Sequence, residues 1–345
     1  MVITEKEKRL IIIIGADCDP DKVRVRGKNL RTYHGFYDWR GIREGIPEIK
    51  KRLSYIQNLF DSPFKLTWCV RSDLQIKEIY GNAGWCLREF SSFWKELEKG
   101  GDEIGWHLHL WRWNPRYEIW YQEIQDNEWI EECILQGFTG FRDEWGRPPS
   151  SIRMGWVFHS NFTMEKISAL NIKVDFSAVS DLTKAIVSKG ATRNIYDYGD
   201  WKGSPLHPYH PSHLDYRVPS RGQNLPIWEI PSMSLSSRFL MWPYNFKALI
   251  SGKNNILLKP IFPATITLAP LLFERALLHW LSINKLEKII FLATYFHPDE
   301  LLSLRKEFFI KNLSCIQKLA RFHKMNVHFA TASETVDILD KLAED

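Results

Sequence analysis

A parallel α/β barrel is the fold class that this 345-residue sequence predicts, and three observations predict it. Strand-like and helix-like segments alternate along the chain, which favours a parallel sheet with crossover helices. The first strand candidate, Arg9 to Asp17, is a continuous apolar run ending in an acid, as suits a strand buried on both faces. Polar residues recur where strands end: Asp17 and Asp19, Asp73, His107 and His109, Arg153, Glu229 and His297. In barrels of the (β/α)8 type, chemistry sits at those C-terminal ends. An open doubly wound sheet is the alternative, but no Gly-rich phosphate loop follows the first strand.

The elements follow in order. Ile42 to Leu59 reads as a helix because Ile46, Ile49, Leu53, Ile56 and Leu59 fall on helical spacing. Phe64 to Val70 is the second strand and leads into Arg71-Ser72-Asp73. A helix over Leu87 to Lys99 is stopped by Gly100-Gly101. Asp102-Glu103-Ile104 then opens the strand that carries the histidines. Tyr117 to Phe138 is expected to be an aromatic-rich helix. Ser151 to Trp156 reads as a strand and Asn161 to Leu170 as a helix with a polar cap. Ile172 to Ala178 is a further strand, and Asp197 to Asn224, rich in Gly, Pro, His and Tyr, is loop. Leu225 to Ile230 is a strand ended by Pro231; Lys288 to Tyr295 and Asn326 to Thr331 are strands around a helix from Glu300 to His323. No linker divides the chain, so one domain over 1–345 is expected, with its core at about 9–335 and loop insertions near 20–40, 110–145 and 197–224.

Composition narrows the function classes. Hydrophobic residues make up 44% and charged residues 25% of the chain, ordinary for a globular protein. With 46 basic against 41 acidic residues and no basic run, nucleic acid is not an expected partner. Cys18, Cys69, Cys86, Cys133 and Cys315 are scattered and odd in number, which reads as reduced, cytoplasmic usage. The first apolar run, Leu10 to Ala16, is too short for a signal peptide. Ile256 to Ile283 is apolar but broken by Pro260, Pro263 and Pro270, so no transmembrane segment is expected. Leu271 to Ile283 reads as a core-facing helix, with contact at a membrane surface as the lesser alternative.

The chemistry starts from His107-Leu108-His109. On an extended strand, residues i and i+2 share a face, so two imidazoles can aim at one divalent ion. Asp17-Cys18-Asp19 repeats that spacing at the end of the first strand. Two nearby carboxylates can divide labour, one binding a cation and one acting as base, although the same residues also suit a turn. Two nitrogens and one carboxylate leave a coordination position for water, which marks a catalytic rather than a structural metal. His297, ending a late strand, is a candidate general acid, against the plainer reading of a helix-start or packing histidine. Arg153, if buried, needs an acidic partner; holding the Asp17 carboxylate in place is one reading and a plain structural salt bridge the other. His207, His210 and His213 invite a second metal site, against the plainer reading of solvated loop histidines. Trp106, Trp111, Trp113, Trp156 and Trp201 lie near strand ends, where flat rings suit the C–H faces of a sugar. Core packing is the default for any one of them.

Taken together, these blocks resemble the polysaccharide deacetylase (NodB-homology) superfamily. Asp17-Cys18-Asp19 resembles its first motif, Gly101-Asp102-Glu103-Ile104-Gly105-Trp106-His107 its second, and Ser151-Ile152-Arg153-Met154-Gly155 with Val174-Asp175-Phe176-Ser177 its third. Tyr198-Gly199-Asp200-Trp201 resembles the fourth and Phe296-His297-Pro298 the last. Two departures stand out. Cys18 separates the aspartates, which are adjacent in the family, and Trp111 stands where the family's second ligand histidine falls. A variant branch linked to surface polysaccharides carries a similar His-x-His motif. The resemblance implies a distorted (β/α)7–8 barrel holding a divalent metal, zinc or else cobalt or nickel. It implies Asp19, His107 and His109 as metal ligands, Asp17 as base, Arg153 as its orienting residue and His297 as acid. Trp111, Trp156, Asp200, Trp201 and Tyr209 would face the substrate. The implied reaction removes an acetyl or similar acyl group from an N-acylated amino sugar, free, lipid-linked or polymeric, in surface polysaccharide or glycoconjugate metabolism. The alternatives are an inactive carbohydrate-binding protein on the same barrel and a glycosidase pairing Asp17 with Glu229.

Overall fold

The computed structural model describes residues 8–21, 32–182, 199–236 and 261–344. Tyr198 of the fourth motif, residues 256–260 of the proline-broken apolar stretch and parts of the expected insertions lie outside them.

Strand β1 (Lys8–Cys18) is the axis of the fold. It pairs in parallel with three strands: β11 (Ile289–Phe296) along one edge, and β12 (Met325–Phe329) then β2 (Thr67–Arg71) along the other. The sheet continues through β3 (Glu103–Leu108), β6 (Ser151–Met154), β7 (Val174–Asp175) and β8 (Trp228–Glu229), all parallel. Ser232 then bridges to Val179 on one side and Ala293 of β11 on the other, which brings the far edge of the sheet back to its start, and β9 (Ser234–Ser236) and β10 (Ile261–Pro263) form a separate antiparallel pair. This is the distorted barrel expected from the sequence.

Alternation along β1 explains why it is apolar throughout. Leu10, Ile12, Ile14, Ala16 and Cys18 belong to the large core under the helices. Ile11 and Ile13 pack inward with Cys69, Val174, Phe176, Ile230 and Ala293. Gly15 continues the inner row because the Phe176 ring fills its place; a Cβ there would lie 2.4 Å from that ring. The next inward residue is Asp17, which therefore stands at the mouth of the barrel.

Helices α1 (Ile46–Ile56), α2 (Leu74–Tyr80), α3 (Trp85–Glu89), α4 (Ser91–Lys99), α5 (Asn127–Trp145), α6 (Asn161–Ala169), α7 (Pro270–Ile283), α8 (Arg305–Phe322) and α9 (Ala332–Glu344) surround the sheet. The chain turns after α4 at Gly101, whose φ of 93° suits glycine. Helix α7 buries Phe273, Ala276, Leu277, Trp280 and Leu281, so it faces the core. Among the described residues no helix is long and apolar enough to cross a membrane.

Three expectations need correction. The helix read from Tyr117 onward begins only at Asn127, because Trp111–Asn114 and Ile119–Gln122 form an antiparallel hairpin, β4 and β5. Its aromatics are cross-strand pairs such as Trp113 opposite Trp120, and Asp126 caps the helix through the Trp129 N–H. The single helix over Leu87 to Lys99 is two helices, broken at Phe90. Helix α2 was not foreseen; Asp73 caps it by accepting the Ile76 N–H at 3.0 Å.

Candidate metal centre

Register delivers the site. Arg71 of β2 lies level with His107 of β3, and His107 with Arg153 of β6, so three charged or titratable side chains line up across adjacent strand ends. Asp19 leaves β1 through a tight turn in which its N–H donates to the Asp17 carbonyl at 2.8 Å. Cys18 points into the apolar core, and the turn returns Asp19 to the side of Asp17. Separation of the two aspartates by Cys18 is thereby accommodated.

Asp19, His107 and His109 converge. The two Nε2 atoms are 3.1 Å apart, and Asp19 oxygens lie 3.6 Å from His107 Nε2 and 3.4 Å from His109 Nε2. A tetrahedral ion with bonds of about 2.0–2.1 Å needs ligand atoms about 3.3 Å apart, so these residues fit a zinc-sized ion. His107 Nδ1 lies 2.6 Å from the Arg153 carbonyl. A proton donated there leaves the Nε2 lone pair facing the other ligands, as ligating histidines require. His109 lies one residue past the end of β3, with its ring stacked 5.7 Å from Trp111 at an interplanar angle of 8°.

The electrostatics suit a cation. Burial would raise the Asp19 carboxyl, but His109, His107 and Arg71 hold it well below the usual carboxylate range. Burial, helped by the Arg71 charge, pushes His109 down to about 4, so its ring is neutral at neutral pH. His107 is shifted upward: burial opposes, but Asp17 and Asp19 outweigh it.

Asp17 sits against this cluster. Arg153 Nε approaches its carboxylate to 2.8 Å, and both groups are buried. Arg153 is held in turn by the Phe176 carbonyl at 2.5 Å and by the Tyr295 ring, 3.6 Å from its guanidinium carbon. His297, the more open of the titratable groups here, has Nε2 3.8 Å from oxygens of both Asp17 and Asp19.

The substrate-facing expectations divide. Trp111 and Trp156 pack edge to face, 6.1 Å apart, beside His109. Trp111 also lines an open groove of about 520 Å³ with Trp113, Trp129, Arg112, Lys77 and Glu78. Asp200 lines a separate cavity of about 390 Å³ and pairs with Arg217 at 3.1 Å. Trp201 must be corrected: it is fully buried, and its indole N–H donates to the Val157 carbonyl at 2.8 Å. It braces the turn after β6, where Trp156 and Val157 both have positive φ, 57° and 49°. Such a conformation is unfavourable for a β-branched residue and needs outside support. Tyr209 is also buried, with its hydroxyl donating to the Tyr216 carbonyl at 3.2 Å.

Other candidates fall away. His210 bonds the Ile227 carbonyl and packs on Trp228, and among the described residues it joins His207 and His213 in no metal-sized cluster. Glu229 is fully buried, and burial together with Asp175 raises its carboxyl well above the usual range. A glycosidase carboxylate would have to face the mouth instead.

Gly155 and Arg71 also shape the site, though neither is a site candidate from sequence alone. A Cβ on Gly155 would lie 2.3 Å from the His109 ring, so glycine makes room for that imidazole. Arg71 donates to Asp19 Oδ1 at 2.7 Å. Its sequence signal was a charged residue at the end of an apolar strand.

No protein-family model matches the chain, and no curated protein sequence matches it significantly. Solved structures match in fold. A candidate glycoside hydrolase/deacetylase from Parabacteroides distasonis superposes with a TM-score of 0.56 at 14% identity, covering 98% of this chain and 72% of its own. A candidate polysaccharide deacetylase from Mycobacterium smegmatis gives 0.51 at 10% identity, over 99% and 94%. Puue allantoinase gives 0.51 at 11% identity, over 96% and 90%. The chain thus has the barrel fold of NodB-type deacetylases.

Proposed function

We propose that this protein is a metal-dependent hydrolase that removes an acetyl or similar acyl group from an N-acylated amino sugar. The observation that carries the reading is the convergence of Asp19, His107 and His109 within 3.1–3.6 Å of one another, with Asp17 and His297 alongside. Fold neighbours whose names specify polysaccharide deacetylase and allantoinase support it.

Asp19, His107 and His109 hold the ion, zinc or else cobalt or nickel. Bound there, a divalent ion supplies Lewis acidity, easing ionisation of water and polarising the acyl carbonyl. Asp17 takes the proton of the attacking water, and the Arg153 ion pair fixes that carboxylate in place. As the C–O bond forms and the C–N bond breaks, His297 delivers a proton to the departing amine. Its partial exposure at the barrel mouth suits a group that meets the leaving sugar. The products are a carboxylate and a free amine. Trp111, which stacks on His109 and lines the aromatic groove, supports a sugar as the substrate.

The test combines metal analysis with acetate release from N-acetylglucosamine oligosaccharides. The wild type is expected to bind one zinc equivalent and release acetate; His107→Ala should lose both, with acetate release down at least a hundredfold. Full activity in His107→Ala, or in chelated wild type, would refute the reading.

A further inference from the structure

Arg71 and Asp73 lie outside every motif of the resemblance, yet both are almost fully buried beside the ligands. The Arg71 guanidinium makes three side-chain contacts in one fork: Nη1 to Asp19 Oδ1 at 2.7 Å, Nε to Asp73 Oδ2 at 2.7 Å, and Nη2 to Gln75 Oε1 at 2.8 Å. Asp73 Oδ2 also accepts the backbone N–H of His109 at 3.3 Å, while its Oδ1 caps helix α2. The neighbouring Ser72 N–H donates to the His107 carbonyl at 3.1 Å.

We propose that Arg71 and Asp73 form a positioning unit that lets the short His-x-His spacing complete a three-ligand site. The proposal rests on the metal reading above. One ligand, Asp19, follows β1; another, His109, lies past the end of β3, where no strand pairing fixes it. A single ion pair from the end of β2 ties the carboxylate of the first to the backbone of the second. The fork engages one Asp19 oxygen and leaves the other, which faces His107 and His297. Asp73 balances the guanidinium charge, which would otherwise repel a nearby cation. Lysine cannot substitute, because a point ammonium cannot make three planar, separated contacts. Arg71 and Asp73 touch no substrate; they act through Asp19 and His109.

The experiment measures zinc affinity of metal-free protein by competition with a chromogenic chelator, beside the absorption spectrum of the cobalt-loaded form and far-UV circular dichroism. Arg71→Lys keeps the charge and removes the fork. Asp73→Asn has one oxygen to serve three donors. Both are expected to bind zinc 10- to 100-fold more weakly and to alter the cobalt spectrum, with the dichroism unchanged. Gln75→Met, which frees only the third arm and spares the α2 cap, should show a smaller loss in the same direction and decides the matter if Asp73→Asn does not fold. Wild-type or tighter zinc binding in folded Arg71→Lys would overturn the proposal; tighter binding would mean that the guanidinium competes with the ion. A wild type that binds no zinc would overturn the metal reading itself, and this proposal with it.

Discussion

Gly155→Ala is a clean steric probe of the site. The backbone at Gly155 is outside the positive-φ region, so alanine adds a methyl group without conformational strain. The added Cβ would meet His109 Cγ and Nδ1 at 2.3 Å, whereas ordinary contact begins at 3.4 Å. Relief therefore needs about 1.1 Å of movement (3.4 − 2.3) between the β6 turn and the imidazole. The turn cannot give easily, because Trp156 and Val157 are already held in left-handed conformations by Trp201. Nor can His109 retreat freely, since Trp111 is stacked on it. Metal–ligand distances tolerate only about 0.2 Å, so the ring cannot both move and ligate. The variant should bind zinc at least ~10-fold more weakly and lose about 1–3 kcal/mol of stability through overpacking. Zinc competition and urea unfolding on the same preparation measure the two effects. Wild-type zinc affinity in a folded Gly155→Ala protein would refute the assignment of His109 as a ligand.

Two further outcomes follow from the electrostatics and the groove. In chelated protein, His109 has a pKa pushed down to about 4 in the folded state against about 6.5 unfolded. The unfolded chain therefore binds the extra proton between those values, and stability falls as pH drops from about 6.5 to about 4, by on the order of 3 kcal/mol across the window. His107, shifted the other way, stabilises the protein at low pH and loses that contribution as pH rises. Thermal unfolding of wild type and His109→Gln from pH 7.5 to 4.5 isolates the His109 contribution: the wild type should lose more, and parallel curves would refute it. Trp113→Ala should raise KM roughly three- to tenfold for an N-acetylated oligosaccharide, with kcat unchanged and a monosaccharide unaffected. Equal KM values for the oligosaccharide would remove the groove from substrate binding.

Much of the fold was legible because β1 and the strand ends obey simple rules. A strand buried on both faces has to be apolar, and a parallel barrel has to place its polar residues at one end; Leu10 to Asp17 satisfies both demands at once. Helix α1 was legible from its spacing. The hairpin of β4 and β5 was not, because Trp, Tyr and Ile satisfy either period over a span this short. Trp201 shows a different limit. A tryptophan at a strand end reads equally as a sugar platform or as a wedge, and only packing against Val157 and Gly199 decides for the wedge.

The candidate site marks a sharper boundary between what spacing can and cannot say. His107 and Asp17 belong to strands, so their direction follows from alternation. His109 and Asp19 lie just beyond strand ends, where alternation no longer applies. Their convergence is a tertiary property: Gly155 gives His109 space, Asp73 takes its N–H, Trp111 covers its ring, and Arg71 links Asp73 to Asp19. None of these four residues lies within two positions of Asp19, and only Trp111 is that close to His109. An i, i+2 histidine pair thus converges with Asp19 because the neighbouring loops supply restraint that the strand itself does not. The two histidines are read from the motif, but the contacts that bring them together with Asp19 come from the ends of β2 and β6.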